Sequence, residues 1–156
     1  MAVICWLTHD PSVEGGDAML VPELYCSDLA RSLTFYKDIL GFSLRYERPE
    51  ERFAFLDFEG ASLMLEQPCD PSRIWLSGSL EQPYGRGVNF QIEVQAVDPF
   101  YARVISAGLR PFWEMEERWY RCKNNVQGNR QFVLADPDGY LLRFFQNLGT
   151  KPVKPT

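Results

Sequence analysis

Hydrophobic and polar positions are most sharply ordered near the end of the chain, in the stretch GNRQFVLADPDGYLLRFFQN spanning residues 128–147. Two apolar runs, residues 131–135 and 140–145, flank the tetrapeptide Asp136-Pro137-Asp138-Gly139. Asp opens a type I turn, Pro presets φ at its second position and Gly suits its fourth, so the segment reads as an antiparallel hairpin. Alternation along the second strand places Leu141, Arg143 and Phe145 on one face and Tyr140, Leu142 and Phe144 on the other. An arginine between large apolar residues has two readings: an edge-strand side chain snorkelling to water, or a guanidinium turned into a cavity.

Upstream, residues 20–26 read as a first strand, with Pro22 tolerable at a strand start or edge. Ser27 or Asp28 can cap a helix running to about Leu40, whose apolar stripe is Leu29, Leu33, Tyr36 and Leu40, broadened by Phe35 and Ile39. Gly41 stops it, and residues 42–47, 52–58 and 61–66 follow as three short strands. Residues 68–87, with three prolines and Ser77-Gly78-Ser79, form a linker. Then the order returns: a strand over 88–94, and a helix over 99–107 with Asp98 as N-cap and Gly108 as stop. A strand over 109–114, a stretch around 119–122 and the hairpin complete the second unit.

Strand, helix and three strands thus occur twice. Gly60 before Leu63-Met64-Leu65-Glu66-Gln67 echoes Gly139 before Leu141-Leu142-Arg143-Phe144-Phe145-Gln146. The expected fold is α+β: two paired βαβββ modules, residues 20–67 and 88–147, whose curved mixed sheets surround a central cleft. Residues 1–19 are an N-terminal extension to this single domain (20–147) and residues 148–156 a C-terminal tail.

Composition narrows the function. The chain has 156 residues, 46% hydrophobic and 24% charged, in the range of one globular domain. A net charge of −5 argues against nucleic acid as a partner. Cys5, Cys26, Cys69 and Cys122 are widely spread without zinc spacing, which reads as reduced thiols in the cytoplasm, and no run is long enough to span a membrane. His9 is the only histidine, and no phosphate-binding loop, complete dinucleotide motif or nucleophile triad accompanies it. The carboxylates Glu47, Glu50, Glu51, Glu114, Glu116 and Glu117 are either solvated loop charges or an acidic rim for cationic ligands. Phe53, Trp113, Trp119 and Tyr120 lie on or beside strands facing the cleft and divide between core and ligand stacking.

The ordered set Ser27-Asp28-Leu29, Phe35-Tyr36, Leu40-Gly41-Phe42, Leu63-Met64-Leu65-Glu66 and Asp136-Pro137-Asp138-Gly139-Tyr140-Leu141-Leu142-Arg143 resembles the vicinal-oxygen-chelate superfamily. That superfamily includes glyoxalase I, extradiol dioxygenases, fosfomycin-resistance enzymes and bleomycin-resistance proteins, and the motifs are most similar to the last. Its enzymes hold a divalent metal through His, Glu or Gln. Carried over by motif, those positions fall at Val21, Asn89 and Arg143, with only Glu66 near a third position as a plausible ligand. Valine cannot coordinate and arginine brings a fixed positive charge, so the expectation is no metal, no cofactor and no catalytic residue.

The resemblance therefore implies a binding protein of the bleomycin-resistance type: a homodimer that sequesters a flat aromatic, cationic small molecule in a cleft at the dimer interface. The ligand-binding residues expected are Phe53, Glu66, Asn89, Trp113, Glu114, Trp119, Tyr120 and Arg143, with Arg143 paired to Glu66. Bleomycin-binding relatives keep a stacking Trp just before the Gly of the final hairpin stretch, a place that here holds Gln127. The alternatives are a glyoxalase-like lyase or dioxygenase with an atypical site, and a metabolite-binding protein unrelated to antibiotics.

Overall fold

The computed structural model describes residues 20–153, so the extension over 1–19, with His9 and Cys5, lies outside the described residues. Eight strands form two four-stranded mixed sheets. In the first module β1 (Glu23–Tyr25), β2 (Ser43–Arg48), β3 (Phe53–Phe58) and β4 (Ala61–Glu66) are ordered β1-β4-β3-β2. In the second, β5 (Asn89–Glu93), β6 (Trp113–Cys122), β7 (Asn125–Ala135) and β8 (Leu141–Pro152) repeat that order as β5-β8-β7-β6. Each first strand runs parallel to the last strand of its module, and the remaining pairs are antiparallel. The α+β, two-module fold expected from the repeat is the one observed.

One helix crosses one face of each sheet. The first starts as α1 (Leu29–Leu33), capped by Asp28, whose carboxylate accepts from the Arg31 amide, and widens into π-helical turns over Thr34–Ile39. The second, α2 (Val97–Ser106), begins at Ala96 and takes no cap from Asp98. Its Val97 amide donates instead to Gln146 Oε1 at 3.1 Å, and the Leu29 amide donates to Gln67 Oε1 at 3.0 Å. A glutamine just beyond the core of the module-closing strand therefore serves both helix starts, a long-range substitute for a local cap. Asp98, freed from that role, holds Arg130 of β7.

Several boundaries move. The expected pieces at 109–114 and 119–122 are one ten-residue strand, β6, and β8 continues through 148–152, so that part of the assigned tail is sheet. Pairing explains both, because β7 extends back to Asn125 and offers ladder partners to Cys122 and Pro152. Trp119 lies across Gly128, where a Cβ would stand 2.6 Å from the indole ring, so only glycine lets the two strands carry that ring.

The helix-bearing faces of both sheets share one core. Phe58 of the first module meets Phe100 and Phe144 of the second, at 5.6 and 6.3 Å between ring centroids. Leu24, Leu56 and Leu65 join Leu134, Leu142 and Phe132 in the same cluster. Above this core sits the turn at Asp136–Gly139. Asp136 Oδ1 accepts the amides of Asp138, Gly139 and Tyr140 at 2.8–3.0 Å, closing the turn. Its Oδ2 accepts the hydroxyl of Tyr36, fully buried in the first module, at 3.0 Å. Asp138 takes the Ser27 amide at 3.0 Å, the Ser27 hydroxyl at 2.5 Å and the Gln82 amide nitrogen at 2.9 Å. Arg31 donates to the Pro137 carbonyl, and the Tyr84 amide to that of Asp138. One turn thus joins the first module, the linker and the second module.

Hydrogen bonds to charged groups contribute about 1.5–3 kcal/mol each, and a buried group left unpaired costs about as much as the bond lost. Asp138→Ala, which strips three donors at once, is therefore expected to destabilise the protein by about 2–4 kcal/mol, and Tyr36→Phe by about 1–3 kcal/mol. Urea unfolding of the three proteins checks this. Losses below about 0.5 kcal/mol, the range of an ordinary surface change, would remove the turn's role as a clamp between modules.

Candidate functional site

Because one face of each sheet carries a helix, period-2 alternation leaves the other face open, and the ladder registers say which residues occupy it. On the first sheet one row reads Tyr25, Glu66, Phe53, Arg48 and the next Glu23, Met64, Phe55, Tyr46. Phe53 and Phe55 are only 2% exposed although they point away from the core. The Tyr46 ring stacks on both, at 5.9 and 5.4 Å, and the Arg48 and Arg45 guanidiniums lie 3.7 and 4.5 Å over their faces. Each arginine is tied to an acid, Arg45 to Asp57 at 2.6 Å and Arg48 to Glu51 at 2.5 Å. Glu66 borders this aromatic floor. Burial, followed by the Glu23 carboxyl beside it, pushes its pKa up from 4.5 to about 7, with Arg48 opposing. The folded state thus binds a proton that the unfolded state has released, so this group's contribution to stability declines as pH rises from 4.5 towards 7.

On the second sheet the open rows contain Gln91–Arg143–Val133–Trp113 and Glu93–Phe145–Gln131–Glu116, followed by Asn129 and then Gln127–Tyr120. A depression of about 230 Å³ is lined by Gln91, Tyr120, Cys122, Gln127, Asn129 and Arg143. A larger hollow, about 420 Å³, lies at the other end of the first sheet around Ser43, Asp57 and Ser62, where the Arg45–Asp57 pair fills its hydrogen-bonding capacity.

Of the residues expected at the site, Phe53 and Glu66 stand on the first open face, and Asn89, Trp113, Tyr120 and Arg143 on the second. Glu114 and Trp119 face the other way. Glu114 accepts the hydroxyl of Tyr101 on α2, and Trp119 covers Gly128 with Lys151 Nζ 3.6 Å from its ring. A β-bulge between Trp113 and Glu116 separates Trp113 from the face its neighbour takes.

Two expectations about Arg143 are corrected. It is not on an edge, since β8 lies between β5 and β7. Nor does it pair with Glu66: it donates to Gln91 Oε1, and its Nε–H has no partner among the described residues. The equivalence that suggested the pair fails by two residues. Gln67 and Gln146 cap equivalent helices, so Glu66 corresponds to Phe145, and Arg143 corresponds to Met64. Gln91, Asn129 and Gln131 were missed altogether. Their signal was present as side-chain amides at alternate positions, Gln127, Asn129 and Gln131 on one strand and Asn89 and Gln91 on another, but uncharged amides do not stand out as ligands or catalytic groups.

Metal chemistry does not fit this donor set. An ion at the place of Arg143 would meet a guanidinium, Asn89 is a weak ligand alone, and Glu66 stands on the other sheet beside Glu23. Among the described residues no three His, Cys, Asp or Glu side chains come together, and no helix is long and apolar enough to cross a membrane.

Comparison with known proteins places this geometry among relatives. A "Bleomycin resistance protein" from Geobacillus stearothermophilus is 29% identical over 137 residues, covering 82% of this chain and 96% of the relative. The structure of TioX from Micromonospora sp. ML1 superposes with a TM-score of 0.66 at 23% identity, covering 84% of this chain and 99% of that one. That of lactoylglutathione lyase from Agrobacterium tumefaciens gives 0.58 at 20% identity, covering 85% and 95%; both likenesses concern the fold alone. The family model described as Glyoxalase/Bleomycin resistance protein/Dioxygenase superfamily matches residues 18–144, and the chain belongs to that superfamily.

Proposed function

We propose that this protein binds a small molecule without transforming it, sequestering a flat, cationic aromatic ligand between the open sheet faces of two subunits, as in resistance by sequestration. The observation that carries the reading is the Phe53–Phe55–Tyr46 floor with Glu66 at its border. Stacked aromatic faces accept a planar ligand, and a carboxylate next to them selects a positive one. The arginines now over the rings are displaceable. Each cation–π contact at an exposed site is worth about 0.5–1 kcal/mol and each exposed ion pair at most about 1 kcal/mol, so a ligand that stacks better replaces them at small cost. The net charge of −5 adds a favourable field.

Two subunits enter for a geometric reason. Each sheet leaves an open face, and Trp113 and Tyr120 on the second and Tyr46 on the first are 40–57% exposed there. A two-fold axis that sets the first sheet of one copy over the second sheet of the other covers all of them and encloses a cleft. The bleomycin-resistance relatives support the sequestration reading, and the free thiols of Cys26, Cys69 and Cys122 support a reducing, cytoplasmic setting. The lyase and dioxygenase alternatives lose ground because Val21, Asn89 and Arg143 stand where those enzymes need ligands.

Light scattering at micromolar concentration is expected to give twice the chain mass of 18.0 kDa, and a persistent monomer would remove the shared cleft. Fluorescence titration with proflavine, a planar cation, tests the floor. Below a pH of about 7 Glu66 carries a proton and no charge; above it the carboxylate attracts the dye, so affinity should rise through neutrality. Glu66→Gln should abolish that rise, and Tyr46→Ala should weaken binding about 2–10-fold at every pH. A pH-independent affinity in the parent protein would refute the assigned role of Glu66.

A further inference from the structure

The second open face carries a hydrogen-bonding pattern that the cationic ligand does not use. Asn129 and Gln131 are 5% and 4% exposed, yet among the described residues Asn129 Oδ1 and Gln131 Oε1 have no hydrogen-bond partner, and neither has Arg143 Nε. Buried polar groups are nearly always paired, so three orphans in one strand neighbourhood mark a place where something else completes the set. Asn129 and Arg143 both line the 230 Å³ depression, and Gln131 adjoins it through Tyr120.

Neighbours fix the orientations of Gln131, Tyr120 and Arg143. Gln131 Nε2 donates to Glu116 Oε1 at 3.1 Å and to the Tyr120 oxygen at 2.7 Å. The Glu116 carboxylate cannot accept from a carbonyl, so the Gln131 amide is held with its nitrogen on that side and its oxygen turned away. Tyr120, accepting from Gln131, keeps its own O–H proton to donate. Arg143, donating to Gln91 Oε1, is held across the row with its Nε–H unspent.

The depression thus offers two donors, Arg143 Nε–H and Tyr120 O–H, beside two carbonyl acceptors. A carboxylate would satisfy the donors but bring its second oxygen against Asn129 Oδ1 and Gln131 Oε1. An ammonium would satisfy the acceptors and find Glu116 behind Gln131, but Arg143, which lines the depression where Glu116 does not, would meet it with a fixed charge. A group that carries a carbonyl oxygen next to an N–H satisfies both. We propose that this depression is a subsite for an N–C=O edge, a primary carboxamide or ureido group, borne by the ligand at a distance from its cationic aromatic part. The carbonyl oxygen takes the donors of Arg143 and Tyr120, and the N–H groups go to Asn129 and Gln131. Specificity follows from the same set, because a site with buried hydrogen-bonding groups rejects analogues that leave them unpaired.

This subsite rests on the open faces being the ligand surface, so its test uses probes without a cation–aromatic requirement on the first sheet. 2-Naphthamide, 2-naphthoate and 2-naphthylmethylammonium share one ring system and differ only in the polar group. Each is titrated into ¹⁵N-labelled full-length protein and followed by the side-chain amide resonances of Gln91, Asn129 and Gln131. The amide should bind at least tenfold more tightly than either ion and shift the Asn129 and Gln131 resonances. Asn129→Leu should lower its affinity at least tenfold and leave that of 2-naphthylmethylammonium unchanged, with an unaltered melting curve as the check on folding. A preference for the carboxylate, equal affinity for all three, or no shift of those amides at millimolar amide overturns the proposal from the parent protein alone. Proflavine binding that persists with its Glu66 dependence would then leave the sequestration reading standing; loss of both would fell the two together.

Discussion

The structure depends on the carboxylates of one turn. Asp136 and Asp138 accept seven hydrogen bonds between them, from the turn's own amides, from Ser27 and Tyr36 of the first module and from Gln82 of the linker. Burial raises the Asp136 pKa in spite of the bonds that favour its charged form, and it raises that of Tyr36 well above 10, so the pair stays locked as a neutral phenol donating to a carboxyl group. Two modules that each leave a sheet half covered need such an anchor. Apolar contact between Phe58 and Phe144 brings them together, but apolar contact is non-directional and does not select one mutual orientation. Directional bonds to two fixed carboxyls do, and the linker is held by the same atoms. Gly139, with φ of 103°, lets the linker approach: a Cβ there would lie 2.4 Å from Pro83.

That clamp has a consequence for the open faces. With the modules fixed helix side to helix side through one core, no strand or α-helix of the described chain covers the opposite faces, and the linker touches the first at its margin, where the Trp75 amide donates to the Tyr25 hydroxyl. Their residues divide by sheet. The first presents aromatic rings and a carboxylate whose proton leaves near neutrality, whereas the second presents amides among the carboxylates of Glu93 and Glu116 and the guanidiniums of Arg118 and Arg143, with Asn129, Gln131 and Arg143 atoms unspent among the described residues. Among the described residues neither face gathers a metal-ligand set, because coordination needs several negatively charged or lone-pair donors converging on one point. Here Glu66 and Arg143 stand on different sheets, in rows that the repeat does not superpose.

The two sheets also differ in how they treat their arginines. Arg45 and Arg48 lie flat on aromatic rings, with their charges answered by acids at the rim, and can swing out at small cost. Arg143 is confined on a central strand, where among the described residues a neutral amide is its hydrogen-bond partner. On the proposed reading, the second face discriminates by complementarity of hydrogen bonds more than by net charge, and it complements an aromatic floor that discriminates little among flat rings.

Periodicity and turn chemistry in the sequence determined the duplicated strand–helix–strand order, the Asp28 cap, the type I turn and the alternation that sends Leu142 and Phe144 inward, because these follow from spacing along a few neighbouring residues. The superfamily was legible for the same reason: its motifs are local. Tertiary structure alone decided what happens across distance. It assigned the helix caps to Gln67 and Gln146 rather than a local side chain at α2, and turned Glu114 and Trp119 toward the helix side. It gave Arg143 to Gln91 rather than Glu66, and gathered Asn129 and Gln131 from an inconspicuous strand into one unsatisfied cluster. A bulge of one residue between Trp113 and Glu116, or an error of two in aligning the modules, changes which side chains meet. No local pattern encodes that register; it is set by which strands pair and which faces the shared core removes from water.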